Sequence, residues 1–393
     1  ISFAIAPNDA GKWVEVSTQF ELEAACMKEN EAKFHQANNT PFMTSPLIDD
    51  FGYLPVGPNA DAVLSGDYQP PADADPYAIQ FLRHLKMSPK VLTAEPVSNI
   101  ITTEQYIDGW KKAKERTACG STVLNFSHFK AGILRPKIAE FEATMSHIPY
   151  STGYSPRRYR QAINAELLKK PDQFRIDKLR TIVMYQPDFN ATNKLLGKTV
   201  MNHIESLDII ASEQYGGRKN KSSIMLALNK VLNFDHIRTM KVIAALCSND
   251  LASCYDRIIH SLTGLILRSK GVPASPIVCM LSTIQNLEHS IRTSFGDSAL
   301  TYGGDTWLVP LPNMATGNLL EGPLQGVGQG NGAGPMMWAV ISTPILEMMR
   351  EAGFGSFFKA SFSGVQIRIV GYAFVDDTDL MQWFTGDRVA SAY

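Results

Sequence analysis

Two adjacent carboxylates, Asp376 and Asp377, end the short apolar run Phe374-Val375. Like charges side by side repel, and a protein keeps such a pair mainly where a divalent cation neutralises it. A third carboxylate, Asp250, follows the apolar run Val242–Leu246, with Tyr255-Asp256 close behind it. Alone, Asp250 or Asp256 would serve equally well as a helix N-cap. Between these segments lies Gly326-Val327-Gly328-Gln329-Gly330-Asn331-Gly332-Ala333-Gly334-Pro335. Its small residues let backbone approach a ligand closely, as in a phosphate-cradling loop. Yet Asn331 or Ala333 stands where G-x-G-x-x-G needs its last Gly, and no Gly-Lys-Ser/Thr follows. Read alone, it is a flexible loop with Pro at a helix start.

In this order, the three segments resemble the catalytic motifs of a reverse transcriptase. That family's first such motif is Asp, four residues, an aromatic, then Asp, and Asp250, Tyr255 and Asp256 stand at that spacing. Its second is Gly-Val-Pro-Gln-Gly, three residues, Ser-Pro. Gly326, Val327, Gln329, Gly330 and Pro335 fit, while Gly328 replaces the Pro and Gly334 the Ser. Its third, Tyr/Phe-x-Asp-Asp, is matched by Phe374 to Asp377. Upstream, Arg180-Thr181-Ile182 with Asn190 and Lys194 resembles the family's Arg-Pro-Ile…Lys segment. Glu213-Gln214-Tyr215-Gly216-Gly217-Arg218-Lys219 resembles the Glu-Gln-Phe-Gly-Phe-Arg of non-LTR retrotransposon enzymes. The likeness covers roughly residues 155–385.

The resemblance implies an RNA-directed DNA polymerase that extends a primer on an RNA or DNA template with deoxynucleoside triphosphates. Asp250 and Asp376, helped by the Leu251 carbonyl, would bind two Mg²⁺ ions (Mn²⁺ is an alternative). One ion would activate the primer 3′-hydroxyl and the other would hold the triphosphate and leaving pyrophosphate. Asp377 would support them from the edge of the site. Tyr255 would lie under the sugar and exclude a ribose 2′-hydroxyl. Gln329 and Gly330 would line the nucleotide pocket. Arg180, with Lys169 or Lys170, would contact the triphosphate, and Arg218 and Lys219 the template backbone. Two other readings stay open: an RNA-directed RNA polymerase, and a catalytically inactive retroelement relic that binds nucleic acid. Gln329-Gly330, Val375 before the Asp pair and an aromatic before Asp256 favour the DNA-making enzyme over the RNA polymerase.

The elements that must position these residues follow from periodicity. Leu167–Pro171 and Leu179–Met184 read as two strands joined by a polar turn. Helices are expected over Ala131–Met145, with Pro149 and Pro156 as breaks, and over Ala191–Ser206, Ser222–Asn233, Tyr255–Lys270 and Pro276–Arg292. A helix is also expected over Met336–Met349. Val242–Leu246 reads as a buried strand, and Thr293–Gln325 as a loop or hairpin. The fold class that the resemblance implies is α+β, the fingers and palm of a right-hand polymerase. Four parts are expected: a poorly defined region over 1–80, a helical extension over 81–160, fingers over 161–245 and palm over 246–393. Only Phe384–Tyr393 follow Trp383, so no thumb is expected and the fragment alone should be poorly active.

Bulk properties set the frame. The 393 residues are 45% hydrophobic and 19% charged, with a net charge of −1. The first 100 residues hold 6 Lys/Arg against 13 Asp/Glu, whereas residues 151–241 hold 16 against 8. A basic segment in a neutral chain is a polyanion surface or a solvated face. No apolar run reaches the roughly 18 residues that a membrane helix needs, and the N-terminus lacks a signal peptide's basic start. The five cysteines form no C-x-x-C, which suits reduced thiols and an intracellular (nuclear or cytoplasmic) setting without zinc. Asp49-Asp50-Phe51-Gly52 reads as a solvated loop, and His260 as a packed helix residue.

Overall fold

The chain opens with an antiparallel hairpin, β1 (Ala4–Pro7) and β2 (Trp13–Val16), and a helix, α1 (Gln19–Phe34). Thr18 starts α1 because its hydroxyl accepts the Glu21 N–H, one of the donors a helix start leaves unpaired. Four short helices follow: α2 (Leu47–Phe51), α3 (Pro58–Ser65), α4 (Pro76–Arg83) and α5 (Pro89–Thr93). The last three begin on proline, whose missing N–H is no loss at that position. Next come α6 (Thr103–Lys111), opened by a Thr102–Gln105 capping box, α7 (Phe126–Gly132) and α8 (Pro136–Thr152). The computed structural model describes residues 1–122, 124–251, 253–304, 322–359 and 362–384.

Beyond α8 the elements alternate. In order they are β3 (Gln161–Leu168), β4 (Leu179–Met184), α9 (Pro187–Ser206), α10 (Ser223–Met240), β5 (Ile243–Asp250), α11 (His260–Ser269) and α12 (Ala274–Gln285). Then follow β6 (Glu288–Thr293), β7 (Gly296–Asp297), β8 (Tyr302–Gly303), α13 (Gly334–Glu351), β9 (Ser356–Lys359), β10 (Gln366–Ile369), β11 (Gly371–Phe374) and β12 (Asp377–Phe384). The class is α+β. One sheet runs β4-β3-β6-β7, with β8 also on β6, and only its β3–β6 pair is parallel. A second sheet, β11-β12-β5, is antiparallel throughout. One continuous apolar cluster joins α9, α11, α12 and α13 through Phe189, Leu196, Leu265, Ile266, Leu281 and Met337. Burying each such side chain contributes about 1.5–3 kcal/mol. No helix among the described residues is long and apolar enough to cross a membrane.

Several local expectations change. The first 80 residues are well organised: Leu22, Cys26 and Phe34 of α1 and Leu47 and Phe51 of α2 are buried in the common cluster. Asp49 and Asp50 lie in α2 rather than a loop, and Asp50 accepts hydrogen bonds from Tyr68 and Asn59. α8 runs through Pro149 and stops at Gly153, whose left-handed φ of 81° ends the helix. The helix expected over Pro276–Arg292 ends at Gln285, because Glu288–Thr293 pairs with β3 as a strand. Pairing with a distant strand overrides local helical periodicity here. β5 is the exposed edge of its sheet, not a buried strand. In Thr293–Gln325, β7 and β8 pair with β6, and residues 305–321 lie outside the described residues. The five cysteines are free thiols.

Candidate functional site

β5 and the β11–β12 hairpin bring the three carboxylates together. Asp250 ends β5 and stands in register with Asp377, the first residue of β12. Val375 and Asp376 form the turn between β11 and β12. Like charges opposed across strands destabilise a sheet, so something must hold the tip in place. Val375 has φ of 59°, a conformation that a β-branched residue rarely adopts. Gln214 holds it there: its Oε1 accepts the Val375 N–H at 3.1 Å and its Nε2 donates to the Val375 carbonyl at 3.3 Å. The same amide accepts from Gly216 N and donates to Ser342 Oγ, so both of its ends are filled within a buried site. Trp338 Nε1 also donates to the Val375 carbonyl. A Cβ on Gly216 would stand 2.3 Å from the Val375 nitrogen, so only glycine fits beside the turn. Glu213 adds a buried ion pair with Arg350 and, through backbone, joins β11 at Ala373.

The glycine-rich loop packs against β4 and the segment after β5. Val183 N donates to the Gln329 carbonyl at 2.7 Å, and Tyr185 Oη donates to the Val327 carbonyl at 2.7 Å. Gly330, at φ 126°, lies so near the Val183 carbonyl that a Cβ would approach it to 2.3 Å. Asn190 of α9 holds the loop as Gln214 holds the turn. Its Nδ2 donates to the Gly330 carbonyl and its Oδ1 accepts from Gly332 N. His260 is buried at the start of α11 and lies 2.5 Å from the Gly326 carbonyl through Nε2. Burial pushes its pKa down to about 4, so the ring is neutral and donates that bond.

A cavity of about 600 Å³ opens between these parts. Of the residues expected at the site, Asp250, Leu251, Tyr255, Gln329, Gly330, Arg180 and Asp376 line it. Asp377 does not, although it is the residue in register with Asp250. Lys169 rather than Lys170 reaches the cavity. Arg218 and Lys219 lie elsewhere. The Arg218 guanidinium is engaged inside the molecule, paired with Glu205 and donating to the Ala211 and Gln214 carbonyls. Lys219 is exposed. The Tyr255 ring lies against Gly334, where a Cβ would come within 3.3 Å of it.

Electrostatics divide the cavity. Asp250, Asp256 and Asp376 line it from β5, the segment after it and the β11–β12 turn, whereas Lys169, Lys178 and Arg180, with Asp177 beside Lys178, come from the β3–β4 side and Lys33 from α1. Asp250 and Asp376 form no ion pair among the described residues, and neither do Lys169 and Arg180. Burial pushes Asp256 up to about 6, with Lys33 opposing the shift, Glu166 adding to it and Arg257 opposing it again. Burial, then the Asp376 charge, pushes Cys254 up to about 12. Tyr255 is pushed up to about 12 by burial, then by Cys254 and Asp376.

No group of three or more His, Cys, Asp or Glu among the described residues is arranged to hold a metal alone. Mg²⁺ does not need one: it takes one or two carboxylates and completes its shell with water and substrate phosphate. Two unpaired carboxylates on one wall, with the Leu251 backbone beside them, fit that donor set.

Sequence reasoning missed Lys33, which α1 carries to the cavity from far outside the motif segments. It also left Gln214 and Asn190 without roles, although both stand in segments whose pattern drew notice. Their place inside the motif segments was the available signal. The braces on the loop between β3 and β4 were missed too: Phe3 stacks on Phe174 at 4.3 Å, and Arg175 lies 3.9 Å over the Trp13 ring. No protein-family model matches the chain, and no curated protein matches it.

Proposed function

We propose that the chain is the fingers-and-palm part of an RNA-directed DNA polymerase, with β3, β4 and the glycine-rich loop above a palm sheet of β11, β12 and β5. One observation carries the reading: Asp250, Tyr255, Gln329, Gly330, Arg180 and Asp376, drawn from four distant segments, line a single cavity. Isolated motif matches arise by chance, but chance gives them no reason to converge.

In this reading, Asp250 and Asp376 hold Mg²⁺, with the Leu251 carbonyl nearby. When bound, the metal supplies charge stabilisation to a phosphoryl transfer. The unpaired Arg180 and Lys169 neutralise and orient the triphosphate from the opposite wall. Gln329 and Gly330 form the floor for the base and sugar, where glycine lets backbone come close. The Tyr255 ring fills the space that a ribose 2′-hydroxyl would need. Asp377 acts indirectly, as part of the tip that positions Asp376.

The test is single-turnover addition of one nucleotide to a primer on an RNA template, with Mg²⁺, using either the deoxynucleotide or the ribonucleotide. The expected result is templated addition of the deoxynucleotide at a rate at least about tenfold above the ribonucleotide. Equal use of both would remove the Tyr255 role. Failure to add either, by chain shown to be folded and to bind the primer-template, would favour the catalytically inactive relic over the polymerase.

A further inference from the structure

We propose that Lys33, on the N-terminal helix α1, is a further triphosphate-binding residue of this cavity, resting on the polymerase reading above. None of the motif segments includes it. Its placement is nevertheless specified by three contacts of its own helix. Asn30, one turn before it, donates to Glu166 Oε1 at 2.7 Å and accepts from Thr181 Oγ1 at 2.8 Å. Thr181 is the neighbour of Arg180 on β4. Phe34, the next residue after Lys33, accepts the Gln325 N–H at 2.9 Å through its carbonyl, which ties α1 to the start of the glycine-rich loop. Residues at i, i+3 and i+4 share a helix face. Lys33 is therefore held between the strand bearing Arg180 and the loop bearing Gln329, and it lines the cavity with both.

Its chemistry matches its position. The Lys33 side chain is only 12% exposed, and its one ion pair among the described residues is a 3.8 Å contact with Glu29 on the same helix. A contact at that distance leaves most of the ammonium's three donors open. Four cations and four carboxylates line the cavity. Divalent cations on Asp250 and Asp376 would turn this balanced lining net positive, and a polyanion would then be attracted. Lys178 is partly engaged by Asp177 at 3.4 Å. Lys33, Lys169 and Arg180 remain to meet the phosphates. The competing role for Lys33 is purely structural, as a counter-charge for Asp256 and Glu166.

Calorimetric titration of the full chain with deoxyadenosine triphosphate or deoxyadenosine, in Mg²⁺, separates these roles. Lys33→Met should weaken triphosphate binding roughly tenfold and leave deoxyadenosine binding unchanged, and Lys33→Arg should restore the triphosphate to within about threefold. Unchanged triphosphate binding by Lys33→Met, with weakened binding by Arg180→Ala, would overturn the Lys33 assignment and leave the polymerase reading standing. A wild-type chain that binds no triphosphate would overturn both. Should thermal melts show Lys33→Met unfolded, acetylation of wild-type lysines decides. Protection of Lys33 by the triphosphate but not by deoxyadenosine supports the assignment, and equal labelling overturns it.

Discussion

The two walls of the cavity are built on opposite principles. The acidic wall is fixed. Its Asp250 and Asp377 oppose each other across strands, its Val375 is strained, and a fully satisfied buried amide, an indole N–H and a close-packed glycine hold the turn. The basic wall is open. Arg180, Lys169 and Lys178 are exposed on and beside the ends of β3 and β4, and only Lys178 has an ion-pair partner among the described residues. In the proposed polymerase, carboxylates that share a metal need enforced proximity, since they repel until the ion arrives. Cations awaiting a flexible polyanion need reach more than rigidity, and long exposed side chains supply it.

The sharpest way to break this contrast is to remove one charge from each wall. Asp376→Asn keeps the shape and removes the charge, so templated nucleotide addition should fall by about 10²–10³-fold or more at every nucleotide concentration. Arg180→Ala should cost roughly tenfold in kcat/KM, mainly through KM, and recover as nucleotide is raised. A nucleotide-concentration series on both variants checks the pair. Recovery of Asp376→Asn at high nucleotide would mean that both walls act in binding alone.

Rigidity itself is tested at Gln214. Gln214→Ala leaves the Val375 N–H and carbonyl, the Gly216 N–H and the Ser342 hydroxyl short of a partner, which costs about 1–3 kcal/mol. The turn then relaxes, so kcat should drop about tenfold while the nucleotide KM holds. Urea unfolding and steady-state kinetics read the two effects. Val375→Gly removes the strain that the amide resists, so Gln214→Ala should cost less in that background. Equal cost in both backgrounds would show that Gln214 does not act through the turn.

What the sequence showed and what it hid follow the same division. The carboxylates, Tyr255 and the glycine-rich loop were legible because local pattern carries them: charge at strand ends, aromatic spacing, glycine where backbone approaches closely. The α+β class came with the resemblance. Contacts between segments remote in sequence were not legible. Glu288–Thr293 has a helical pattern and becomes a strand only because β3 offers a partner. β5 is apolar yet an exposed edge, since burial depends on which strands flank it. Lys33 has no local signature at all; Asn30 and Phe34 place it through partners in other segments. Arg218 was singled out by its motif, but Glu205, thirteen residues earlier on α9, claims its charge.

Asp256 gives the smallest effect and refines the comparison, because it is an acid of the cavity that no ion pair among the described residues relieves. Burial raises its pKa from an ordinary 3.8 to about 6. Between those values the folded chain binds a proton that the unfolded chain has lost, so this group's contribution to stability falls as pH rises through that window and stays lowered above it. Asp256→Asn abolishes the titration. The variant should therefore exceed the wild type by about 3 kcal/mol near pH 8, and the gain should vanish near pH 3, below both values, where the folded and unfolded wild type are both largely protonated. Urea unfolding at the two pH values measures the difference. A gain of the same size at both would place its origin in packing against Gly326, whose missing Cβ makes room for the Asp256 backbone. A gain confined to high pH would show that the acidic wall keeps a charge that burial disfavours, with Lys33 as its largest opposing charge.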